Sequence, residues 1–488
     1  MENNEHLAHI RHTLAHLLAQ ASQEHYKEAK LTLGPAVDNG FYYDIDFGLN
    51  KINDEDLKKI EKTMKKNLSE WKEFTHKEIS ENEAREYFAD NIYKLELIDE
   101  IVARGEKITL YTCGNFTDLC RGGHVENPSK EIPFDSFNLD RVAGAYWRGN
   151  ELNKMLTRIY GLSFETKEEL DAYLIQREEA KKRDHKKLGL DLDLFTFSEL
   201  VGPGLPLWTP RGTLVRNLLD NYVWELRKEK GYEKVEIPHI TKKELYEKSG
   251  HWEKYKDDLF RITTREGHEF AMKPMNCPHH TQIYSRKMWS YKELPQRYAN
   301  TTTCYRDEQS GELSGLSRVR AFAQDDAHVF CRMKDTKEEF LKIWDIVEIF
   351  YKKFGFELKV RISKHDPNNP EKYLGDKDLW AFAEKILTEI AENKKVPTYE
   401  GIGEAAFYGP KLDFMAHDAI GREWQVATIQ LDMNMPERFD LTCINEQGSK
   451  ERIVMIHAAI MGSIERFMSI LIEHTAGKIG RASCRERV

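Results

Sequence analysis

Leu7, Ile10, Leu14, Leu17, Leu18 and Ala21 recur at helical spacing, which predicts an amphipathic helix from His6 to Lys27. Gly34-Pro35 then marks a turn, and the aromatic run Gly40 to Phe47 reads as extended chain. A charged helix is expected at about Asp54 to Lys72, followed by a Cys/Gly-rich stretch from Cys113 to His124 and by AGAYWRGN at Ala143 to Asn150. These segments make one α+β unit, residues 1–164. The pattern changes at ETKEELDAYLIQREEAKKRDHKKL: acidic first, basic last, with too few apolar positions to build a core. That order suits the helix dipole and predicts an exposed linker helix over 165–190. Lys181, Lys182, Arg183, Lys186 and Lys187 face outward in this reading, either as a solvated helix end or as an RNA contact.

A larger unit, 191–478, begins at Asp191. Helix Thr213–Lys230 stops at Gly231, and a strand Lys234–Pro238 follows. Thr301–Tyr305 and Val319–Ala323 read as two strands around a turn at Gly311 and Gly315. Helices at Asp335–Phe354 and Asp376–Asn393 alternate with extended runs at Leu358–Ile362 and Trp424–Met433, an α/β look. A last apolar helix covers Met461–His474. The ending IGRASCRERV, 479–488, is basic and without period, and is expected to be a truncation or cloning junction.

The chain has 488 residues, 40% hydrophobic and 32% charged, with net charge −9. No apolar run approaches the ~18 residues of a membrane span, and the N-terminus lacks a secretory layout. Seven cysteines in this length are no disulfide framework, so a reducing cytoplasm is the default location. The acidic balance argues against a nucleic-acid coat while leaving room for a local basic stripe.

The densest chemistry lies in RYANTTTCYRDEQSGELSGLSRVRAFAQDDAHVFC, Arg297 to Cys331. Arg297, Arg306, Arg318 and Arg320 on a hairpin suit a polyphosphate, because guanidinium grips phosphate through paired hydrogen bonds. Glu308 adds an acceptor for a base amino group. The segment closes with Asp325, Asp326 and His328. Cys277, in KPMNCPHH, can join His328 and His457 as three metal ligands, leaving a fourth position for a substrate; a buried structural Cys277 is the other reading. His12 and His16 share a helix face with His9, and Cys120 and His124 repeat the four-residue spacing in DLCRGGH. Such pairs suit a zinc site or a hydrolytic pocket, or are unrelated residues. Arg466 sits in the apolar helix GSIERFMSILIEH; a helix arginine is usually a snorkelling surface charge, and in so apolar a helix more often faces a ligand or a buried carboxylate. Together these suggest an ATP-dependent enzyme with a metal on its other substrate.

From about residue 5 to residue 478 the chain resembles the bacterial threonyl-tRNA synthetases, of the class II aminoacyl-tRNA synthetases. YRDEQSGELSGLSRVRAFAQDDAHVFC is similar to their motif 2, MIHAAIMGSIERF to motif 3, the region ending at Pro238 to the dimer-interface motif 1, and RHTLAH with DLCRGGH to their editing domain. The resemblance implies an α+β fold, an antiparallel-sheet catalytic domain with a separate α+β editing domain. It implies ATP-dependent activation of threonine, its ligation to tRNA(Thr), and hydrolysis of seryl-tRNA. By the same resemblance Arg306 holds the α-phosphate, Glu308 the adenine amino group and Arg318 the γ-phosphate, with Phe322 and Arg466 around the adenine. Cys277, His328 and His457 hold one Zn²⁺ per subunit; Mg²⁺ comes with ATP. Asp326 meets the threonine hydroxyl, and Gln324, Tyr408, Gln425 and Met275 line the pocket. His12, His16, Lys94, Asp118, Cys120 and His124 form the editing site, without a metal. A homodimer is implied and a membrane is not.

Three positions depart from the family: His279 for Gly in NCPGH, Gly123 for Pro in CRGPH, and Ala458 for Arg in HRA. None is an assigned ligand, though His279 stands beside the metal. The family often has a small ubiquitin-like domain before this region and continues past Lys478 into an anticodon-binding domain, and the reading expects neither here. The alternative function is a synthetase-like RNA-binding or regulatory protein without catalysis; such a protein is expected to lose motif arginines or ligands, and all are present.

Overall fold

The structure is a computed structural model that describes residues 2–394 and 396–479. The tail expected as a junction therefore lies, from Gly480 on, outside the described residues. By its internal contacts the chain divides into two compact units, Met1–Glu178 and Glu179–Val488.

In the first unit the opening helix runs Glu2–His25. Its apolar stripe packs on strand Gly40–Asp46 and on helix Asp54–Leu68. That second helix stops at Leu68, short of Lys72, because Ser69 caps it; Asn53 caps its start. Strand Gly40–Asp46 pairs antiparallel with Met155–Ser163, which pairs with Phe137–Tyr146. A separate three-stranded sheet, Phe74–Ile79, Ile108–Cys113 and Phe116–Leu119, brings the Cys/Gly-rich loop to its end.

The expected single linker helix is two helices, Lys167–Lys182 and His185–Asp191. The side chain of Asp184 caps the second by accepting from Lys186 N–H, so the chain re-starts there. Nor is the segment all outward: His185 and Gly189 are buried, and Arg183 donates to the His474 carbonyl at 3.3 Å.

The second unit is built on an eight-stranded sheet in the order Glu233–Lys234, Gln296–Tyr305, Ala321–Cys331, Val454–Ala459, Glu423–Asp432, Lys411–His417, Glu357–Lys364, Thr398–Ile402. Only the two edge pairs are parallel. The α/β impression from alternating segments thus gives way to α+β. The arginine hairpin is longer than its sequence pattern suggested: Gln296–Tyr305 pairs with Ala321–Cys331 throughout. The second arm continues past Ala323 because its residues are buried on both faces, so no polar alternation marks its course. Helix Thr336–Phe354 packs across the sheet beside Pro210–Glu229 and Lys377–Lys394. The last helix starts at Ile464, with Ser463 as its cap, rather than at Met461. No described helix is long and apolar enough to cross a membrane.

Candidate functional site

Register explains why distant residues meet. His328, on Ala321–Cys331, stands directly opposite His457 on Val454–Ala459. Cys277 opens helix Cys277–Tyr284, whose first turn holds Pro278, a residue suited to a position where an N–H has no partner. The ligand atoms of Cys277, His328 and His457 lie within 4.8 Å of one another, and all three residues are buried. His328 Nε2 and His457 Nδ1 are 3.1 Å apart. Two nitrogens on a tetrahedral zinc, each ~2.0–2.1 Å from it, stand about 3.3 Å apart, so the separation fits a shared ion. Behind them, His457 Nε2 is 3.0 Å from Asp432 Oδ2, which fixes the tautomer that turns Nδ1 inward. His328 Nδ1 is 2.8 Å from His280 Nδ1, leaving the buried His280 Nε2 without a partner. A Cys/His/His set with outer partners is a donor set zinc accepts.

Burial raises the Cys277 thiol well above its ordinary range and holds His328 well below its own. A dication at the centre reverses that preference for the thiol. Burial pushes the Asp326 carboxyl up to about 6. Asn276 donates to it at 3.1 Å, and its own carbonyl receives the Cys304 thiol at 3.6 Å. Gln324 Oε1 is on the same thiol, 3.7 Å away. Tyr408 stacks on His457 with centroids 5.1 Å apart, and Met275 packs against the apolar cluster that contains Cys277. Gln425 does not join this group: its amide is engaged by Arg361 at 2.9 Å and by Asp413 at 2.8 Å. His279 points to Thr241, 2.5 Å away, rather than to the trio.

On the hairpin, the Arg306 guanidinium lies over Phe322 at 5.2 Å, with Nε lacking a hydrogen-bond partner. Arg318 is paired with Glu308 at 2.7 Å and with Glu312 at 3.1 Å. The two groups assigned to opposite ends of the nucleotide therefore hold each other here. Arg466 is exposed on the first turn of its helix, and no buried carboxylate meets it among the described ion pairs.

In the first unit, His12, His16, Cys120 and His124 offer atoms within 4.8 Å of one another. Gly122 and Gly123, at φ 96° and 84°, fold the loop back so that His124 returns to the opening helix. A proline, fixed near φ −65°, cannot take the Gly123 conformation. Cys120 Sγ is 3.3 Å from His124 Nε2 and 3.6 Å from His12 Nε2, while His12 Nδ1 donates to the Gly123 carbonyl at 3.2 Å. Lys94 and Asp118, both buried, pair at 2.5 Å, and Tyr43 donates to the same carboxylate at 2.6 Å. Burial lowers His12, holds His16 well below its ordinary value and pushes His124 down to about 2; Cys120 is pushed up to about 11. The cluster is thus a set of neutral imidazoles around a thiol. A cavity of about 430 Å³ opens on it, lined by His12, His16, Tyr43, Lys94, Asp118 and Cys120 among others.

Sequence reasoning missed Asn276, His280, Asp432 and His251, whose Nε2 is 3.8 Å from Cys277 Sγ. Asn276 and His280 flank the cysteine in KPMNCPHH and were within reach of that motif. Asp432 and His251 carry no sequence signal; only the fold brings them in.

Residues 260–475 match the "tRNA synthetase class II core domain (G, H, P, S and T)", and residues 108–160 match the "Threonyl and Alanyl tRNA synthetase second additional domain". The chain is 50% identical over 469 residues to a threonine–tRNA ligase of Flavobacterium psychrophilum, covering 96% of this chain and 72% of that protein. It is 51% identical over 473 residues to the corresponding ligase of Porphyromonas gingivalis, with the same coverage. Among solved structures, the RNA-binding domain of a threonyl-tRNA synthetase from Cryptosporidium parvum is similar at 37% identity and a TM-score of 0.58, covering 61% of this chain and 73% of that one.

Proposed function

The chain belongs to the threonine–tRNA ligases, and from that premise we propose how its two clusters divide the work of charging tRNA(Thr) and clearing seryl-tRNA. The observation that carries the reading is the convergence of Cys277, His328 and His457 beside the arginine hairpin's strand. These three residues would hold zinc. When bound, the ion offers a Lewis-acid position for the amine and hydroxyl of threonine. Valine lacks that hydroxyl and leaves the site's polar groups unpaired, which costs it a factor of about 10⁴ or more. Asp326, held by Asn276, accepts from the hydroxyl, and Gln324, Tyr408 and Met275 close the pocket. Gln425 reaches the amino acid only if its bonds to Arg361 and Asp413 are exchanged.

The threonine carboxylate attacks the α-phosphorus of ATP in line, and pyrophosphate leaves. Arg306 neutralises the charge that builds on the α-phosphate, with Mg²⁺ entering on the nucleotide. Glu308 takes the adenine amino group and Arg318 the γ-phosphate, so their mutual ion pair opens as ATP binds. Phe322 and Arg466 face the base. The 3′-terminal ribose hydroxyl of tRNA then attacks the adenylate carbonyl and AMP departs.

Serine keeps both polar groups and lacks one methyl, worth only about 1–3 kcal/mol, so it passes the first site. The first unit removes it. The neutral imidazole of His12, its Nδ1–H on the Gly123 carbonyl, takes a proton from water at Nε2, the water oxygen attacks the seryl ester, and the tRNA hydroxyl leaves. Lys94, fixed by Asp118, offers its ammonium to the carbonyl oxygen, and His16 and Cys120 complete the wall. Two copies of the chain meet through helix Pro210–Glu229, where Leu214 and Leu218 are each 60% exposed beside an apolar cavity.

Threonine-dependent ATP–pyrophosphate exchange tests the first site. Arg306→Ala is expected to abolish exchange while deacylation of seryl-tRNA persists, and His12→Ala to do the reverse. Exchange by the Arg306→Ala protein at the parent rate would refute the assignment.

A further inference from the structure

We propose that His185, outside both sites, is a positioning residue for the nucleotide: it fixes the turn of the arginine hairpin against the helix that carries Arg466. The inference rests on the reading that this hairpin binds ATP.

Both ring nitrogens of His185 are committed. Nδ1 donates to Glu473 Oε1 at 2.6 Å, and Nε2 accepts the backbone N–H of Leu316 at 3.0 Å. The backbone N–H of His185 adds a second bond to the same Glu473 oxygen at 3.1 Å. His185 is 4% exposed, Glu473 6% and Leu316 0%, so water replaces none of these partners. Asp184, His185 and Glu473 also form a cluster of metal-ligand type. The Leu316 N–H decides against a cation, because it occupies the lone pair one would need.

The contact reaches the nucleotide groups by a short path. Leu316 is the centre of a closed turn: Ser314 N–H donates to the Arg318 carbonyl at 3.1 Å, and Arg318 N–H to the Ser314 carbonyl at 3.3 Å. Placing Leu316 therefore places Arg318. The packing leaves no slack, since a Cβ on Gly315 would lie 2.3 Å from His185 Nε2 and 2.7 Å from Lys186 Cγ. Gly315 also adopts φ 50°, where glycine is the undemanding choice. At the other end, Glu473 is the penultimate residue of helix Ile464–His474 and is held by Arg422 at 2.6 Å. The same helix takes the strand side of the hairpin through Glu465, which accepts from Ala323 N–H, next to Phe322, at 2.7 Å. The hairpin is thus fastened to Arg466's helix at both ends, and His185 is the fastening at the turn.

The test measures KM for ATP and for threonine in pyrophosphate exchange for His185→Leu, His185→Asn and His185→Gln. Leucine fills the space without an acceptor, asparagine is too short to span both partners, and glutamine can accept and donate. Leucine and asparagine are expected to raise the ATP KM about tenfold, about 1.4 kcal/mol, because a buried N–H loses its acceptor. The threonine KM stays within twofold and glutamine restores ATP binding to within about threefold. If leucine prevents folding, the asparagine protein supplies the same comparison. An unchanged ATP KM in the asparagine protein, or parallel loss for both substrates with no recovery by glutamine, overturns the proposal. Arg306→Ala, run alongside, tests the ATP reading separately: if it leaves exchange intact, that reading fails whatever the His185 variants do.

Discussion

Arg227→Met is the sharpest test of what holds the proposed amino-acid pocket in place. Arg227 is 2% exposed and Asp325 0%. The Arg227 guanidinium donates to the Asp325 carbonyl at 2.6 Å, to its carboxylate at 3.3 Å and to the Ala458 carbonyl at 3.3 Å. The carboxylate also receives Ile460 N–H at 2.8 Å and Met461 N–H at 3.0 Å. Helix Pro210–Glu229, the hairpin's second arm and strand Val454–Ala459 are thus joined at one buried point, one residue from Asp326. Burial already raises the Asp325 carboxyl, with Arg227 as the largest opposing influence. Methionine fills the volume but leaves the charge unpaired. Breaking a buried pair on one side costs about 3–5 kcal/mol, and the two retained N–H donors place the cost near the lower end, about 3 kcal/mol. Adding Asp325→Asn removes the charge and keeps an acceptor for one of the two amides, so the double variant recovers part of the loss, about 1 kcal/mol. The assay is urea denaturation followed by tryptophan fluorescence, with threonine KM measured alongside. A loss below about 1 kcal/mol for Arg227→Met, or a double variant no better than the single, refutes the reasoning.

Asp432→Asn loosens the orientation of His457 and is expected to weaken zinc binding about 10–100-fold; chelator competition reads this, and unchanged affinity contradicts it. The first unit carries a pH signature. His16 and His124 are neutral when folded, with values below the ordinary 6.5, that of His124 about 2. The unfolded chain takes up their protons as pH falls below ~6.5 and the folded unit does not. Stability is therefore full above pH ~6.5 and is lost towards the folded values, by up to about 1.4 kcal/mol per pH unit for each group. Denaturation between pH 6.5 and 4.5 should show that slope, reduced by one group in His124→Gln; a flat profile rejects it.

The trio and the hairpin were legible because their residue types are rare in combination and sit in long motifs. Cys277, His328 and His457 needed the fold only to confirm that strand register sets two of them face to face. The bonds of Gln425 were invisible in sequence: on strand Glu423–Asp432 its amide meets Arg361 and Asp413, from another strand of the sheet and its neighbour. The linker was misread because helix-forming residues continue across Arg183-Asp184, and a single capping aspartate divides them. The burial of His185 was invisible in sequence, since its partners Leu316 and Glu473 lie in distant elements whose approach no local period encodes. Asp432 and His251 were missed for the same reason.

The most direct test of the central claim is elemental analysis of the purified protein and its Cys277→Ala variant. The account predicts one zinc per chain in the parent and none retained by the variant, with threonine-dependent exchange lost alongside. A parent free of zinc yet fully active in exchange would contradict it.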